Sequence, residues 1–209
     1  MPPHESPVGL LVLHGVRLLG MADSDAVARR YSLDRDAVHE MLLDREAFGH
    51  VQHSAFADVS GWSLTERGRA EEERLVAADL DRTGARHVVQ EAHAGFVPLN
   101  GRFLQAITDW QIRPTSFDSM AANDHSDWAW DERVLKTLGG LARRLEPLGA
   151  GLAGGLTRFA GYPERFAAAL ARVDRGERRW VDGPRIDSCH TVWFELHEDL
   201  ISTLGLQRG

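Results

Sequence analysis

Apolar side chains recur at helical spacing through most of this chain, and one stretch near the N-terminus breaks that period. Between Pro7 and Gly20, residues Leu10, Leu11, Leu13, Val16, Leu18 and Leu19 predict a first core helix, with Pro7 suited to its opening turn. Asp23 or Ser24 can cap a second helix, on which Val27 and Tyr31 share a face four residues apart. After a short break at Leu33, Asp34 can cap a third, carrying Val38, Met41, Leu42 and Phe48, with Gly49 placed to end it in the left-handed region. From His50 to Leu64 the helical period lapses. His50–His53 and Val59–Leu64 are expected as two strands of a hairpin joined by Ser54–Asp58. Thr65 then caps a charged helix through Leu75, Val76 and Leu80, and Asp81–Gly84 is the expected domain boundary.

The rest of the chain alternates helical runs with breakers. Ala85–Gly95 is expected as a helix stopped by Gly95-Phe96-Val97-Pro98, and Leu99–Ile112 as another. Thr115–Asp127 is polar and irregular, and Trp128–Leu148 resumes the helical period. The glycines of Gly149–Gly155 fit close helix packing or a bend. They are not a phosphate loop, which needs a preceding strand and a terminal lysine followed by serine or threonine. Leu156–Val173 is helical in type with a break at Gly161–Pro163, Arg172–Pro184 is a charged connection around Trp180, and Ser188–Leu204 is the last helix. Met1–Ser6, with two prolines and no periodicity, is expected to be disordered. The fold class that follows is mainly α: residues 8–80 with one small β-hairpin, then an all-α domain over residues 85–207.

Three linked pieces carry a resemblance: "DAVARRYSL", "DRDAVHEMLLDREAFG" and "GWSLTERGR". Together they resemble the winged helix-turn-helix domains of bacterial transcription regulators, the MarR-like group in particular, over roughly residues 8–80. In that family an aromatic residue, then Leu-Thr, then a glycine marks the second wing strand running into a helix. The resemblance implies that the helix after Asp34 enters a DNA major groove while the wing meets the adjacent backbone. By position it implies Arg35, Asp36 and His39 as base-reading residues, and Arg29, Ser32, His53 and Arg67 as phosphate contacts. It also implies a homodimer, because two half-sites multiply specificity, with the helical domain dimerising, sensing a small-molecule effector, or both.

Charge opens a second reading. Residues 1–80 hold eight arginines, no lysine and fourteen acids, a balance of −6 within a chain of −7. Leu33–Gly49 alone has two arginines against five acids. Nucleic-acid affinity comes largely from neutralised phosphates, so this balance suits a winged helix that binds a protein and regulates a partner enzyme without DNA.

The remaining chemistry narrows the field. Cys189 is the lone cysteine, so neither an intrachain disulfide nor a cysteine-based zinc cluster can form, as expected of a reducing cytosol. The Leu10–Leu13 run is interrupted by His14 and Arg17, too short to span a bilayer and without a basic leader, so no membrane partner is expected. His190 and His197 share a helical face beside Glu198 and Asp199, but metal ligands on one helix usually stand three or four apart, so no metal and no cofactor are expected. His14 reads as a partly buried structural histidine, and Asn123–Asp127 as a capping loop. Cys189 beside His190 is no dyad, since helix neighbours point about 100° apart. No hydrolase, zincin or dinucleotide motif occurs, and the chain is not read as an enzyme. Five of the six tryptophans fall after residue 100 and are expected to fill the helical core.

Overall fold

The computed structural model describes residues 4–56 and 59–206. Among these, helices α1 (Val8–Leu19), α2 (Ser24–Tyr31) and α3 (Arg35–Ala47) precede an antiparallel hairpin of β1 (Val51–Phe56) and β2 (Val59–Leu64). Helices α4 (Glu66–Thr83), α5 (Arg86–Gln111), α6 (Trp128–Gly155), α7 (Tyr162–Val173) and α8 (Cys189–Leu204) follow, with 3₁₀ turns at Thr157–Phe159 and Arg178–Trp180. The chain is mainly helical with one small hairpin, and no strand follows Leu64 among the described residues. No helix among them is long and apolar enough to cross a membrane.

Local chemistry accounts for the front elements. Asp23 accepts from the Ala26 N–H, Asp34 from Ala37 and Thr65 from Gly68, so each cap satisfies an otherwise orphaned donor. Gly49 at φ +71 and Gly84 at φ +64 let α3 and α4 end in the left-handed region. The strand register pairs Val51 with Leu64 and His53 with Trp62. Ser54, Ala55 and Phe56, expected in the join, belong to β1; Ala57 and Asp58 lie outside the described residues, as do Met1–Pro3. His4–Ser6 are not disordered: His4 bridges Leu156, and Ser6 Oγ donates to Asp79 at 2.6 Å.

Two compact units divide the described residues. The first comprises the chain up to Val89 with residues 153–158 and 197–206; the second holds residues 90–152 and 159–196. Asp81–Gly84 is the last turn of α4 and its cap. The ends of α6 and α8 belong to the first unit. The first unit's core gathers Val12, Leu13, Val16, Val27, Val38, Leu42, Val51 and Trp62. Each such aliphatic side chain contributes about 1.5–3 kcal/mol on burial.

The second unit is centred on Trp193. Phe96 and Phe103 stack on its indole at 4.9 and 4.6 Å, Phe166 lies at 5.6 Å, and Nε1 donates to Asn100 Oδ1 at 3.0 Å. This explains why α5 runs unbroken through Gly95–Pro98, against the expectation of two helices. Phe96 and Phe103 stand two helical turns apart and reach one indole only if the helix continues, which offsets the hydrogen bond that Pro98 removes. The glycine run likewise continues α6 to Gly155; a Cβ at Gly149 would meet Pro163 Cγ at 2.4 Å, so close helix packing accounts for Gly149, whereas one at Gly151 or Gly154 would meet nothing within 4 Å. Leu156–Ala160 holds a 3₁₀ turn instead of α-helix. Trp110 and Trp193 are buried, but Trp128 is 67% exposed and fills no core.

Candidate nucleic-acid interface

Helices α2 and α3 meet at a turn whose hinge is Ser32, a non-glycine residue at φ +54. The Leu33 N–H returns to the Ala28 carbonyl at 2.9 Å and closes that turn. Val38 and Leu42 bury one face of α3 completely. The opposite side is exposed and carries Arg35, Asp36, His39, Glu40, Leu43, Asp44 and Glu46. Beside it, Trp62 of β2 is fastened to the loop between α1 and α2, since Ala22 and Trp62 exchange both backbone hydrogen bonds, at 3.0 and 2.8 Å. A Cβ at Gly61 would sit 3.0 Å from the Ala22 backbone, so a larger residue there would need that backbone to give by a few tenths of an ångström.

Of the residues nominated from sequence, Arg29, Ser32 and Arg35 come together, lining one open cleft with Asp25, Ala28 and Leu33. The Arg35 guanidinium is paired there with the Asp25 carboxylate, and its Nη1 lies 3.9 Å from Asp36 Oδ1. His39 and His53 gather around Trp62 instead. Their rings meet the indole at centroid distances of 6.4 and 4.9 Å, His39 Nδ1 contacts Ser24 Oγ at 3.1 Å, and His53 Nε2 contacts Ser60 Oγ at 3.2 Å. Arg67 is exposed at the start of α4 and does not line the cleft. The exposed side of α3 thus holds acids Asp36, Glu40, Asp44 and Glu46 against one paired arginine, and ends in Leu43 and Phe48, 41% and 62% exposed.

Sequence reasoning missed a buried ionic cluster in the first unit. His14 is wholly buried rather than partly so. Its Nδ1 lies 2.6 Å from Glu72 Oε1 and its Nε2 2.9 Å from Asp199 Oδ1. Arg158 donates to Asp199 at 2.5 Å and to Thr203 Oγ1 at 2.8 Å, while Arg17 donates to Glu72 at 2.6 Å and Glu198 at 3.1 Å. Burial alone would raise the Asp199 carboxyl, but Arg158 and His14 hold it well below the ordinary range. Burial likewise opposes ionisation of Glu72, and His14 and Arg17 outweigh it. For His14 burial disfavours the imidazolium, yet the facing Asp199 and Glu72 raise it above its ordinary value. The available signal was charge in apolar register: His14 interrupts the Leu10–Leu19 stripe, and Asp199 lies between Leu196 and Leu200.

The other candidate chemistry is dispersed. Cys189 is buried, which pushes its thiol up to about 12 and leaves it inert. His190 stacks on Phe103 and meets Phe194 at a tilt, at centroid distances of 6.4 and 5.6 Å. No group of three or more histidine, cysteine or acid side chains that could hold a metal ion occurs among the described residues. No protein-family model, curated protein or solved structure matches the chain.

Proposed function

We propose that this chain is a cytoplasmic transcription regulator that binds double-stranded DNA through residues 8–80 as a winged helix-turn-helix, with its later helices dimerising the protein or sensing a small molecule. One observation carries the reading: Arg29, Ser32 and Arg35 line a single open cleft at the start of an exposed α3. Recognition helices read bases with their N-terminal residues. The Ala22–Trp62 bridge lends support, since it adds a third strand position to the hairpin beside α3. In this reading Arg35, Asp36 and His39 address base edges, and Arg29, Ser32, His53 and Arg67 meet phosphates.

The test is binding of the purified protein to DNA from its own gene neighbourhood at two salt concentrations. Affinity should fall as salt rises. Arg35→Ala should weaken discrimination of the cognate site by about 1–3 kcal/mol. Its loss should cost little stability, because the Arg35–Asp25 pair is largely exposed. Unchanged selectivity would remove Arg35 from the reading surface, and no salt-sensitive binding at micromolar protein would end the proposal.

A second reading rests on the acids of α3 together with exposed Leu43 and Phe48. A basic, partly apolar protein surface complements that face better than phosphate does. Co-purification of a stoichiometric partner, with no shift of DNA, would favour it.

A further inference from the structure

In the second unit the turn from Arg172 to Arg185 carries a run of exposed positive charge. All five of its arginines, Arg172, Arg175, Arg178, Arg179 and Arg185, are exposed. The neighbouring acids are mostly spoken for: Glu177 pairs with Arg172 at 3.3 Å and Arg175 at 3.7 Å, Asp182 accepts from Gln111 at 2.8 Å, and Asp187 binds Arg165 through both oxygens at 2.9 Å. Asp174 is the one further acid between Arg172 and Arg185. Arg178, Arg179 and Arg185 have no carboxylate within ion-pair distance among the described residues.

The turn is rigid. Glu177 N–H bonds the Arg172 carbonyl at 3.1 Å, Gly183 N–H bonds that of Arg179 at 2.7 Å, and Val181 is completely buried beneath. Arg172 lies over the Trp180 indole at 4.3 Å. Arg185 is held at φ +62, a conformation that costs a residue with a Cβ of order 1 kcal/mol or more and persists only where the surroundings impose it. Exposed guanidinium groups with no carboxylate partner, carried on a hydrogen-bonded backbone, suit phosphate oxygens, which they bind in a planar fork.

We propose that this turn is a second nucleic-acid contact, taking the phosphodiester backbone without regard to sequence. Nucleic acid as ligand follows from the function proposed above, but the contact does not depend on α3. It adds phosphate-neutralising charge to a chain whose residues 1–80 carry a formal balance of −6.

The full-length protein carrying Arg178→Gln, Arg179→Gln and Arg185→Gln is compared with the unsubstituted chain on a duplex of arbitrary sequence across a salt series. A second variant, Arg29→Ala with Arg35→Ala, is run alongside. Each phosphate contact adds about 0.9 to the slope of log affinity against log salt, so the turn variant should lower the slope by roughly two to three and the affinity at low salt by roughly tenfold or more. Circular dichroism should match the unsubstituted protein, since none of the three side chains is buried. An unchanged slope in the turn variant, with loss confined to the Arg29 and Arg35 variant, overturns this inference and leaves the proposed function standing. The converse result supports the turn and counts against α3. Failure of the unsubstituted protein to bind the duplex overturns both, and binding only to vesicles of phosphatidylcholine and phosphatidylserine in equal parts would identify a membrane surface as the anion and overturn the nucleic-acid assignment.

Discussion

Asp199→Ala is expected to destabilise the protein by about 3–5 kcal/mol, the cost of removing one partner from a buried ionic group. The alanine would leave the Arg158 guanidinium and the His14 ring facing each other, 3.0 Å apart, with their shared counter-charge gone. Thr203 would also lose the acceptor it holds at 3.2 Å. The effect should therefore exceed the transfer energy of the lost side chain. Denaturant unfolding monitored by fluorescence measures it, and a loss below about 1 kcal/mol, the range of an exposed pair, would show the cluster to be hydrated. Replacing His14, Arg158 and Asp199 together with apolar residues of similar volume should cost less than Asp199→Ala alone, because no unpaired Arg158 is then left buried and Glu72, though it loses His14, keeps Arg17.

The same cluster gives stability a pH dependence with two sides. Asp199 and Glu72 are depressed below their ordinary values of 3.8 and 4.5, so their contribution is present above those values and is lost as pH falls through the folded ones. His14 is raised above 6.5, so its contribution is complete below 6.5 and is lost as pH rises through the folded value. The stability advantage of the unsubstituted protein over His14→Gln should be largest between those limits and shrink on the alkaline side. A difference that stays constant or grows with alkalinity would mean that His14 is neutral in the folded protein. In that state the Nδ1 proton would serve Glu72, and Nε2 would accept from Arg158.

Gly68→Ala is the second large effect. A Cβ there would lie 1.7 Å from the His50 carbonyl oxygen and 2.6 Å from its carbon, both backbone atoms with no freedom to swing aside. That carbonyl already accepts from the Thr65 N–H at 3.0 Å and contacts Thr65 Oγ1 at 3.2 Å. The first turn of α4 is thus tied to the residue that leads into β1. Alanine improves helix propensity by about 1 kcal/mol over glycine, but the clash requires α4 to lift from the hairpin. A net loss of about 3 kcal/mol or more is expected, at the upper end of overpacking costs. A melting temperature equal to or above that of the unsubstituted protein would show that the hairpin and α4 are not held at this distance.

Gly68 also illustrates what could be read locally. The string Gly61-Trp62-Ser63-Leu64-Thr65-Glu66-Arg67-Gly68 pointed to a strand entering a capped helix, and that local reading needs only the alternation of β2 and the hydroxyl of Thr65. Its two glycines are explained by partners distant in sequence: Gly61 yields to Ala22, and Gly68 to His50. The caps at Asp23 and Asp34 and the left-handed stops at Gly49 and Gly84 were similarly legible, because a cap acts within about four residues.

The sequence by itself determined the capped starts of α2, α3 and α4, the left-handed stops at Gly49 and Gly84, the presence of the hairpin and the apolar faces of the front helices, since these depend on neighbours one turn or one strand step away. Only tertiary structure decided that Pro98 does not end α5, because the compensation comes from Trp193, 95 positions further along the chain. Only it brought His14, Glu72, Arg158 and Asp199 into one buried group, paired Arg35 with Asp25, and left Arg178, Arg179 and Arg185 with no carboxylate in ion-pair distance among the described residues. A charge has no periodicity that reveals its partner. Whether it is buried, paired or free is set by long-range packing, and that difference governs what each ionisable side chain here can do.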